Sequence, residues 1–311
     1  MSTSAIAVIV DHAARARQTA RLLQAAGMRT EVAEGGIDGL MLADECAFVL
    51  APISALQALD TLTASRGVPL LLMRDEGDPT HIAAAAETAS VGGLIGLRYP
   101  GAAPRAWELL SLARRLRSSE PPPVRAPLSW GATYSETELS RTAQRDALTT
   151  QVEQYAEPLV GPRKAGRLAE VAHELIMNAM YDAPADAQGR PLFAADRKAD
   201  ITLEPAQRPR FGYGCDGERF VLSARDPFGR LSRKDFFGGL ARGVGKGRLD
   251  TSGGGAGLGF TLMHDGGTLL FADVVPGKLT QVVVVLELDV PTRELRTLPR
   301  SLHYFEHRSA A

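Results

Sequence analysis

Three polar side chains, Glu174, Asn178 and Asp182, recur one helical turn apart within residues 173–183. At about 100° per residue they form one row beside an apolar stripe, which places them at the rim of a core. A carboxylate and an amide at this spacing can hold hydrated Mg²⁺ through oxygen and orient a water or hydroxyl near a phosphate. The same pattern also fits an amphipathic helix whose boundary residues are simply solvated.

A glycine-rich run occupies residues 252–259 and ends in Gly257-Leu258-Gly259 before an apolar segment. Dense glycine lets the backbone approach another group closely, and N–H groups beside a helix start suit phosphate. Runs of this kind are also typical of flexible loops. Phosphate binding and a plain loop therefore both remain open for this run.

Between these segments the chain reads Asp226-Pro227-Phe228-Gly229. Asp226 is predicted at the end of a strand, where its carboxylate can accept a hydrogen bond from an exocyclic amine such as that of adenine. The alternative role for Asp226 is to form a turn ahead of Pro227, a common use of Asp-Pro.

Together the three motifs resemble the GHKL ATPase superfamily, the nucleotide-binding fold of histidine kinases, anti-sigma-factor serine kinases and gyrase. Glu174 and Asn178 match its N box, and Asp226 matches its first glycine box. Residues 255–259 match the second glycine box, and the resemblance covers residues 160–290. It implies ATP or ADP with Mg²⁺ as ligands, Asn178 on the metal and Glu174 as catalytic base. The candidate nucleotide-binding residues are Asn178, Asp182, Asp226, Gly229, Gly253, Gly254, Gly255, Gly257, Leu258, Gly259 and Thr280.

The first glycine box departs from the pattern of the superfamily. That pattern is Asp-x-Gly-x-Gly, whereas Phe228 and Arg230 stand at the two expected glycines and Gly229 lies between them. Loss of glycine there can narrow an adenine pocket, because a side chain now occupies the space. Glu174 still keeps phosphoryl chemistry possible.

Residues 230–251 correspond to the ATP lid of the superfamily, and basic residues outnumber acidic ones there. A basic lid suits phosphate, although an exposed loop with solvated charges would look the same. Phe236 and Phe237 in this segment either pack the lid down or offer an anchor to a partner.

The first 117 residues alternate short apolar runs with helical stretches. Strands are expected at 5–10, 30–33, 47–50, 68–73 and 93–97, and helices at 14–26, 36–44, 54–65, 79–90 and 104–117. Such alternation predicts a flavodoxin-like, doubly wound parallel sheet. The full fold prediction is thus α/β, with this sheet followed by a GHKL-type α/β sandwich that has a mixed sheet.

Residues 1–117 resemble a response-regulator receiver domain through this order of elements. A receiver needs an aspartate at the end of its third strand, but this strand ends in Ala51-Pro52. Arg74 and Tyr99 replace the usual Ser/Thr and lysine, which leaves Asp11 as a strand-end cap. We therefore expect a pseudo-receiver domain that accepts no phosphate.

Composition and periodicity predict the character of the remaining segments. Four prolines in 118–127 indicate a semi-rigid linker over residues 118–134. A helix over 135–157 with the capping box Ser135-x-x-Glu138 opens the ATPase domain, residues 135–290. Residues 185–198 are predicted as a surface loop and 291–311 as a frayed tail. Further strands are expected at 200–204, 210–214, 219–224, 268–275 and 281–288.

Composition narrows the class of partner and the compartment. The 311 residues include 35 Lys and Arg against 36 Asp and Glu, a formal charge of −1, which favours neither nucleic acid nor an anionic membrane as a partner. Two cysteines, Cys46 and Cys215, fit a reducing cytosol. The N-terminus has no basic signal-peptide region, and no apolar run reaches bilayer length, so a cytoplasmic location is expected.

These observations predict a cytoplasmic bacterial signal-transduction regulator that binds ATP or ADP and acts through nucleotide-gated contact with another signalling protein. No histidine stands between His81 and His173, so the helices before the N box lack a phosphorylatable histidine. The alternative is a serine kinase or ATPase of the anti-sigma type. A homodimer is also considered, through Trp107, Leu110 and Leu112 in 104–116, although these side chains equally suit a core face.

Overall fold

A computed structural model of the chain describes residues 5–33, 37, 39–186, 188–245 and 256–307. Strands and helices alternate in the first half, because short runs of Val, Ile and Leu form strands that are buried on both faces. The elements are β1 (Ile6–Ile9), α1 (Ala13–Ala25), β2 (Arg29–Val32), β3 (Cys46–Pro52), α2 (Leu56–Arg66), β4 (Leu70–Arg74), α3 (Pro79–Glu87), β5 (Val91–Gly96) and α4 (Ala106–Arg117).

The second half places two long helices before a set of mainly antiparallel strands. Its elements are β6 (Thr133–Glu138), α5 (Gln144–Val160), α6 (Pro162–Met177), β7 (Arg210–Cys215), β8 (Arg219–Asp226), α7 (Arg233–Gly245), α8 (Ala256–Gly266), β9 (Leu269–Val275), β10 (Leu279–Glu287) and β11 (Ser301–Glu306). A π-helical turn, Asn178–Asp182, continues α6.

One mixed sheet of eleven strands joins both halves, in the order β2-β1-β3-β4-β5-β11-β9-β10-β8-β7-β6. Strands β1 to β5 pair in parallel. Strands β9, β10, β8, β7 and β6 pair antiparallel in that order. Strand β11 links the two sets, antiparallel to β5 and parallel to β9. The prediction of an α/β protein is confirmed at this level.

Helices cover both faces of the sheet and create two apolar cores. One core contains residues from α1 and α4, such as Leu23 and Leu109, and extends to Phe271 in β9. The other contains residues from α2, α3 and α5 to α8, including Leu59 and Leu168. Each core draws side chains from both halves, so the hydrophobic contribution to stability is shared between them.

The prediction of a frayed tail is wrong for the part of the tail that the structure describes. Residues 301–306 form β11, and all of them except Glu306 are buried. The strand fits because Gly93 and Gly96 of β5 have no side chain where His303 and the carbonyl of Pro299 lie. Because Ser and His lower its mean hydropathy, β11 does not read as a buried strand in the sequence.

The predicted linker packs on the protein instead of spanning a gap. Gln281 donates its Nε2–H to the carbonyl of Pro122 (2.9 Å), and Val124 is buried. Ser129 donates its backbone N–H to Asp216 (2.8 Å). The last residues of the predicted linker already belong to β6.

Three local predictions are also wrong. Ser135 and Glu138 form no capping box, because both lie in β6, an edge strand paired with β7. The described residues of 36–44 form no helix, and Gly39 has φ +77°, outside helical values. Residues 200–204 make only one bridge, Thr202 to Arg141, in place of a strand.

Most of the α4 face that was considered for pairing with a second copy packs against the rest of this chain. Leu112 is fully buried, which supports the core alternative for this residue. The guanidinium of Arg219 lies 5.2 Å from the ring centroid of Trp107. Leu110 is 41% exposed and is the residue of the three that faces solvent.

Gly96→Ala is expected to lower the free energy of unfolding by at least about 2 kcal/mol, because a Cβ would overlap the backbone of Pro299 and Arg300. Gly166→Ala is the control, since its nearest neighbour is Glu153 Oε1 at 3.6 Å and Ala favours a helix. Urea unfolding measures both variants. Equal stability of Gly96→Ala and the parent protein would contradict the placement of the tail against β5.

Candidate functional site

The polar row predicted at 174–182 lies at the C-terminal end of α6. The helix starts at Pro162 after Gly161 and buries Leu168 and Leu175 against the sheet. Its last turn widens, because the N–H of Ala183 donates to the carbonyl of Asn178 (2.9 Å), five residues earlier. Single π-helical turns of this kind occur frequently at functional sites.

Arg197 brings the three polar side chains of the row together. Its Nη2 lies 3.2 Å from Asn178 Oδ1, 3.6 Å from Glu174 Oε2 and 3.3 Å from Asp182 Oδ2. Burial raises the pKa of Asp182, and the charge of Arg197 opposes this shift. Three side-chain oxygens thus converge on a single cation. The sequence missed Arg197 because the composition of 185–198 indicated only a loop.

The end of the glycine-rich run lies directly against this row. A Cβ on Gly259 would stand 2.7 Å from Glu174 Oε2 and 3.8 Å from Asn178 Nδ2. Gly257 and Leu258 belong to the first turn of α8. The candidates Gly253, Gly254 and Gly255 lie outside the described residues. Gly259 therefore brings the end of the glycine-rich run against the polar row at 174–182.

Asp226 and Thr280 meet at the end of the antiparallel strands. They are register partners in β8 and β10, and the N–H of Phe228 donates to Asp226 Oδ1 (2.9 Å). Burial raises the pKa of Asp226 to about 6, although hydrogen bonds from Phe228, Thr280 and Gly229 favour the ionised form. A buried carboxyl with a perturbed pKa at a strand end is a feature of functional sites.

Gly229 has a positive φ of 61°, and a Cβ there would overlap the carbonyl of Val275. Arg230 donates to the carbonyls of Asp182 (3.4 Å) and Ala183 (3.2 Å), and its charge lowers the pKa of Asp226. The end of β8 therefore lies beside the C-terminal end of the polar row. Gly229 therefore stands where the segment after β8 packs closely on the turn between β9 and β10.

The predicted lid region begins as α7, which packs on the first half. Arg233 donates to the carbonyls of Val91 (2.9 Å), Ala85 and Thr88, so this guanidinium is committed to that contact. Phe236 and Phe237 are fully buried, so they pack the segment down and offer no exposed anchor. The remaining lid residues, 246–251, lie outside the described part of the chain.

The four positions compared with those of a receiver domain all lie in the described first half. Arg15 pairs with the Asp11 carboxylate, and Ala51 is fully buried at the end of β3. Arg74 is buried and donates to the carbonyl of Arg300 (2.8 Å). Tyr99, at the expected lysine position, is 65% exposed.

A scan against protein-family models finds no matching family, and a search of curated proteins finds no match. Among the described residues, none of the helices combines the length and apolar character that a bilayer crossing requires. The same residues contain no group of three or more His, Cys, Asp or Glu side chains arranged to hold a metal ion.

Asp226→Asn is expected to raise the free energy of unfolding at pH 7 by about 2 kcal/mol. The folded pKa of Asp226 is about 6, whereas an unfolded aspartate titrates near about 3.9. Folding therefore takes up a proton, and the contribution to stability is greatest below the unfolded pKa and declines as pH rises from about 4 to about 6. Asparagine cannot ionise, so the variant lacks this decline.

Urea unfolding across this pH range measures the effect, and Asp216→Asn is the matched control. Burial opposes ionisation of Asp216, but N–H groups of Ser129, Arg219 and Glu218 and the charge of Arg219 lower its pKa to about 2. Its replacement should therefore destabilise the protein at neutral pH, with the opposite sign. Parallel pH profiles for Asp226→Asn and the parent protein would contradict the raised pKa.

Incubation with acetyl phosphate is expected to leave the mass of the protein unchanged. Covalent phosphorylation needs a nucleophilic carboxylate, and Ala51 and Pro52 occupy the end of β3. Intact-mass spectrometry gives the answer, with a phosphorylatable receiver domain as positive control. An acyl phosphate on Asp11 would show that the pairing with Arg15 does not protect that carboxylate.

Proposed function

We propose that the chain binds an adenine nucleotide with Mg²⁺ at the site formed by α6, the start of α8 and the end of β8. The observation that carries this proposal is the convergence of Glu174, Asn178 and Asp182 on the guanidinium of Arg197. Such a set of oxygens holds a cation, and Mg²⁺ in nucleotide sites takes few protein ligands besides phosphate oxygens. The site therefore suits a metal that arrives with its nucleotide.

Two features of the chain fit this ligand. Glu174 Oε2 is buried without a hydrogen-bond partner, and a buried polar atom of this kind needs one. The absence of a side chain at Gly259 leaves α8 in close contact with that oxygen. Bound Mg²⁺ would neutralise phosphate charge there. Arg197 balances the charge of Glu174 and Asp182 in the free protein, so these carboxylates are not left buried and unpaired.

Asp226 supplies the proposed contact with the adenine amine. With a folded pKa of about 6, its carboxyl is mostly ionised at neutral pH and can accept a hydrogen bond. Phe228, Thr280 and Gly229 already donate to this buried carboxylate, and the adenine amine would add a further donor. Thr280 beside it holds the carboxylate through a side-chain hydrogen bond.

The topology supports the finer fold assignment. Parallel strands in the order β2-β1-β3-β4-β5 have the flavodoxin-like order, which suits a receiver-like unit. The mixed sheet of the second half carries α5, α6 and α8 on one face, an arrangement that suits a GHKL-type sandwich.

We further propose a cytoplasmic signalling role in which nucleotide controls contact with another signalling protein or a second copy. Helix α7 leads into the lid region and packs against α3. A rearrangement of the lid that moved α7 would therefore change its contact with the first half. A nucleotide can drive such a change only if it binds the two arrangements with different affinity. The alternative is a serine kinase or ATPase, in which Glu174 acts as general base.

Asn178→Ala is expected to weaken Mg·ATP binding by about tenfold or more, because it removes an oxygen from the metal site. Isothermal titration calorimetry measures the dissociation constant for ATP and ADP with Mg²⁺. Gln151→Ala, on the exposed face of α5, is the control and should bind like the parent protein. No binding by the parent protein at millimolar Mg·ATP would overturn the proposal.

A labelled-phosphate assay separates the two roles. Binding without hydrolysis or transfer supports the gated regulator. Hydrolysis, or transfer of label to serine on a partner, that is lost in Glu174→Gln while binding remains would instead establish the enzyme.

A further inference from the structure

A cavity lies at the N-terminal end of α6, away from the proposed nucleotide site, where the two halves and the tail meet. Its volume is about 870 Å³. The first half contributes Arg74 and Gly77, and helices α6, α7 and α8 and the segment 292–300 complete the walls. The charged and polar lining residues are Arg74, Arg163, Lys164, Arg167, Glu170, His264, Asp265, Thr292, Arg296 and Arg300.

Two arginines in this wall are buried without a carboxylate partner. Arg74 is 2% exposed and Arg300 is 5% exposed. Arg74 donates to the backbone carbonyls of Arg300 (2.8 Å) and Asp78 (3.5 Å). Arg300 donates to the carbonyls of His264 (3.2 Å), Gly267 (3.2 Å) and Leu298 (2.5 Å). Among the described residues, neither guanidinium forms an ion pair.

The pKa values reflect the burial of these two charges. Burial lowers the pKa of Arg74 to about 10, and the charge of Arg300 lowers it further, whereas the charge of Asp78 opposes the shift. Burial also lowers the pKa of Arg300 to about 10, against the opposing charge of Asp265. Both side chains still carry their charge at neutral pH. Two like charges held in a protein interior are costly unless an anion lies near them.

The rest of the wall adds to the positive charge. Six Arg and Lys side chains face two carboxylates, an excess of four positive charges. Arg167 already contacts both carboxylates, Glu170 at 2.7 Å and Asp265 at 3.9 Å. Burial lowers the pKa of His264, so it adds no charge at neutral pH.

The N-terminal end of α6 also favours a bound anion. Gly161 provides no capping side chain, and the first turn of the helix contains no acidic residue. The positive end of the helix dipole is thus left without a protein anion. The helix dipole thus adds to the positive potential that the arginines already create in the cavity.

We propose that this cavity binds a small phosphate compound with several negative charges, of the pyrophosphate class. A planar guanidinium group can donate two parallel hydrogen bonds to the oxygens of one phosphate. The excess of positive charge in the wall is balanced better by a ligand with more than one anionic group. The site is separate from the proposed nucleotide site, because Glu174 follows Arg163 by eleven residues along the helix, a rise of about 16 Å. Since Arg74 comes from the first half and Arg163 from the second, the ligand would hold the two halves together.

The test is calorimetric titration of the full chain with inorganic pyrophosphate, without Mg²⁺ and at ionic strength of about 0.15 M. The double variant Arg163→Gln/Arg296→Gln removes two exposed cations of the wall and should weaken binding about tenfold or more. Arg293→Gln, on the same tail segment but outside the cavity, is the matched control. Pyrophosphate should also raise the Tm of the parent protein and of Arg293→Gln, but not that of the double variant.

Asn178→Ala separates this site from the proposed nucleotide site, since it should leave pyrophosphate affinity unchanged. Three results would overturn the inference: no binding at millimolar pyrophosphate, equal affinity in the double variant, or loss of binding in Asn178→Ala. Citrate is the comparison for carboxylate anions. Binding of citrate as tight as that of pyrophosphate would overturn the assignment to phosphate.

Discussion

The insertion of β11 between β5 and β9 is the constraint on which the rest of the structure depends. Both edges of this strand are paired, antiparallel to β5 and parallel to β9, so one segment closes two sheets that would otherwise expose their edges. His303 in β11 lies within 2.7 Å of the buried carboxylate of Glu108 in α4, a contact that only one register allows. The two halves consequently fold against each other through β11.

Buried polar contacts fix the relative position of the halves. Arg115 of α4 binds Asp273 of β9 (2.9 Å), and Asp273 also pairs with His307 after β11. Arg105 reaches Glu287 of β10 at 2.7 Å. Replacing one partner of such a pair is costly because the other charge stays buried, whereas the intact pair adds little net stability. These contacts therefore select one arrangement, while the two shared apolar cores supply most of the driving force.

The sequence predicted those parts of the fold whose signal is local. Strands such as β1 and β4 are continuous apolar runs, and their alternation with helices identified the parallel sheet. Strand β6 was missed because it is an edge strand, whose exposed positions carry the Ser and Glu typical of a helix cap.

Strand β11 and Arg197 were missed for a different reason. Their roles depend on partners far away in the sequence, and no local pattern records such partners. Glu174, Asn178 and Gly259 were singled out because three motifs occur in a recognisable order, and the structure brings these residues together.

Helix α6 connects the two candidate sites and gives them different physical characters. At its C-terminal end, carboxylate and amide oxygens gather around one cation, and a π-helical turn interrupts the regular hydrogen bonding. At its N-terminal end, cations predominate and the helix dipole is not balanced by a capping side chain. A helix dipole favours anions at its first turn, so the cations at that end of α6 oppose the field of the helix, and a bound anion would relieve the repulsion. The helix packs on α5 and α8 along its length, so movement at one end must be accommodated by the same contacts that hold the other end. Coupling between the sites would then require two arrangements of α6 against α8, each preferred by a different ligand.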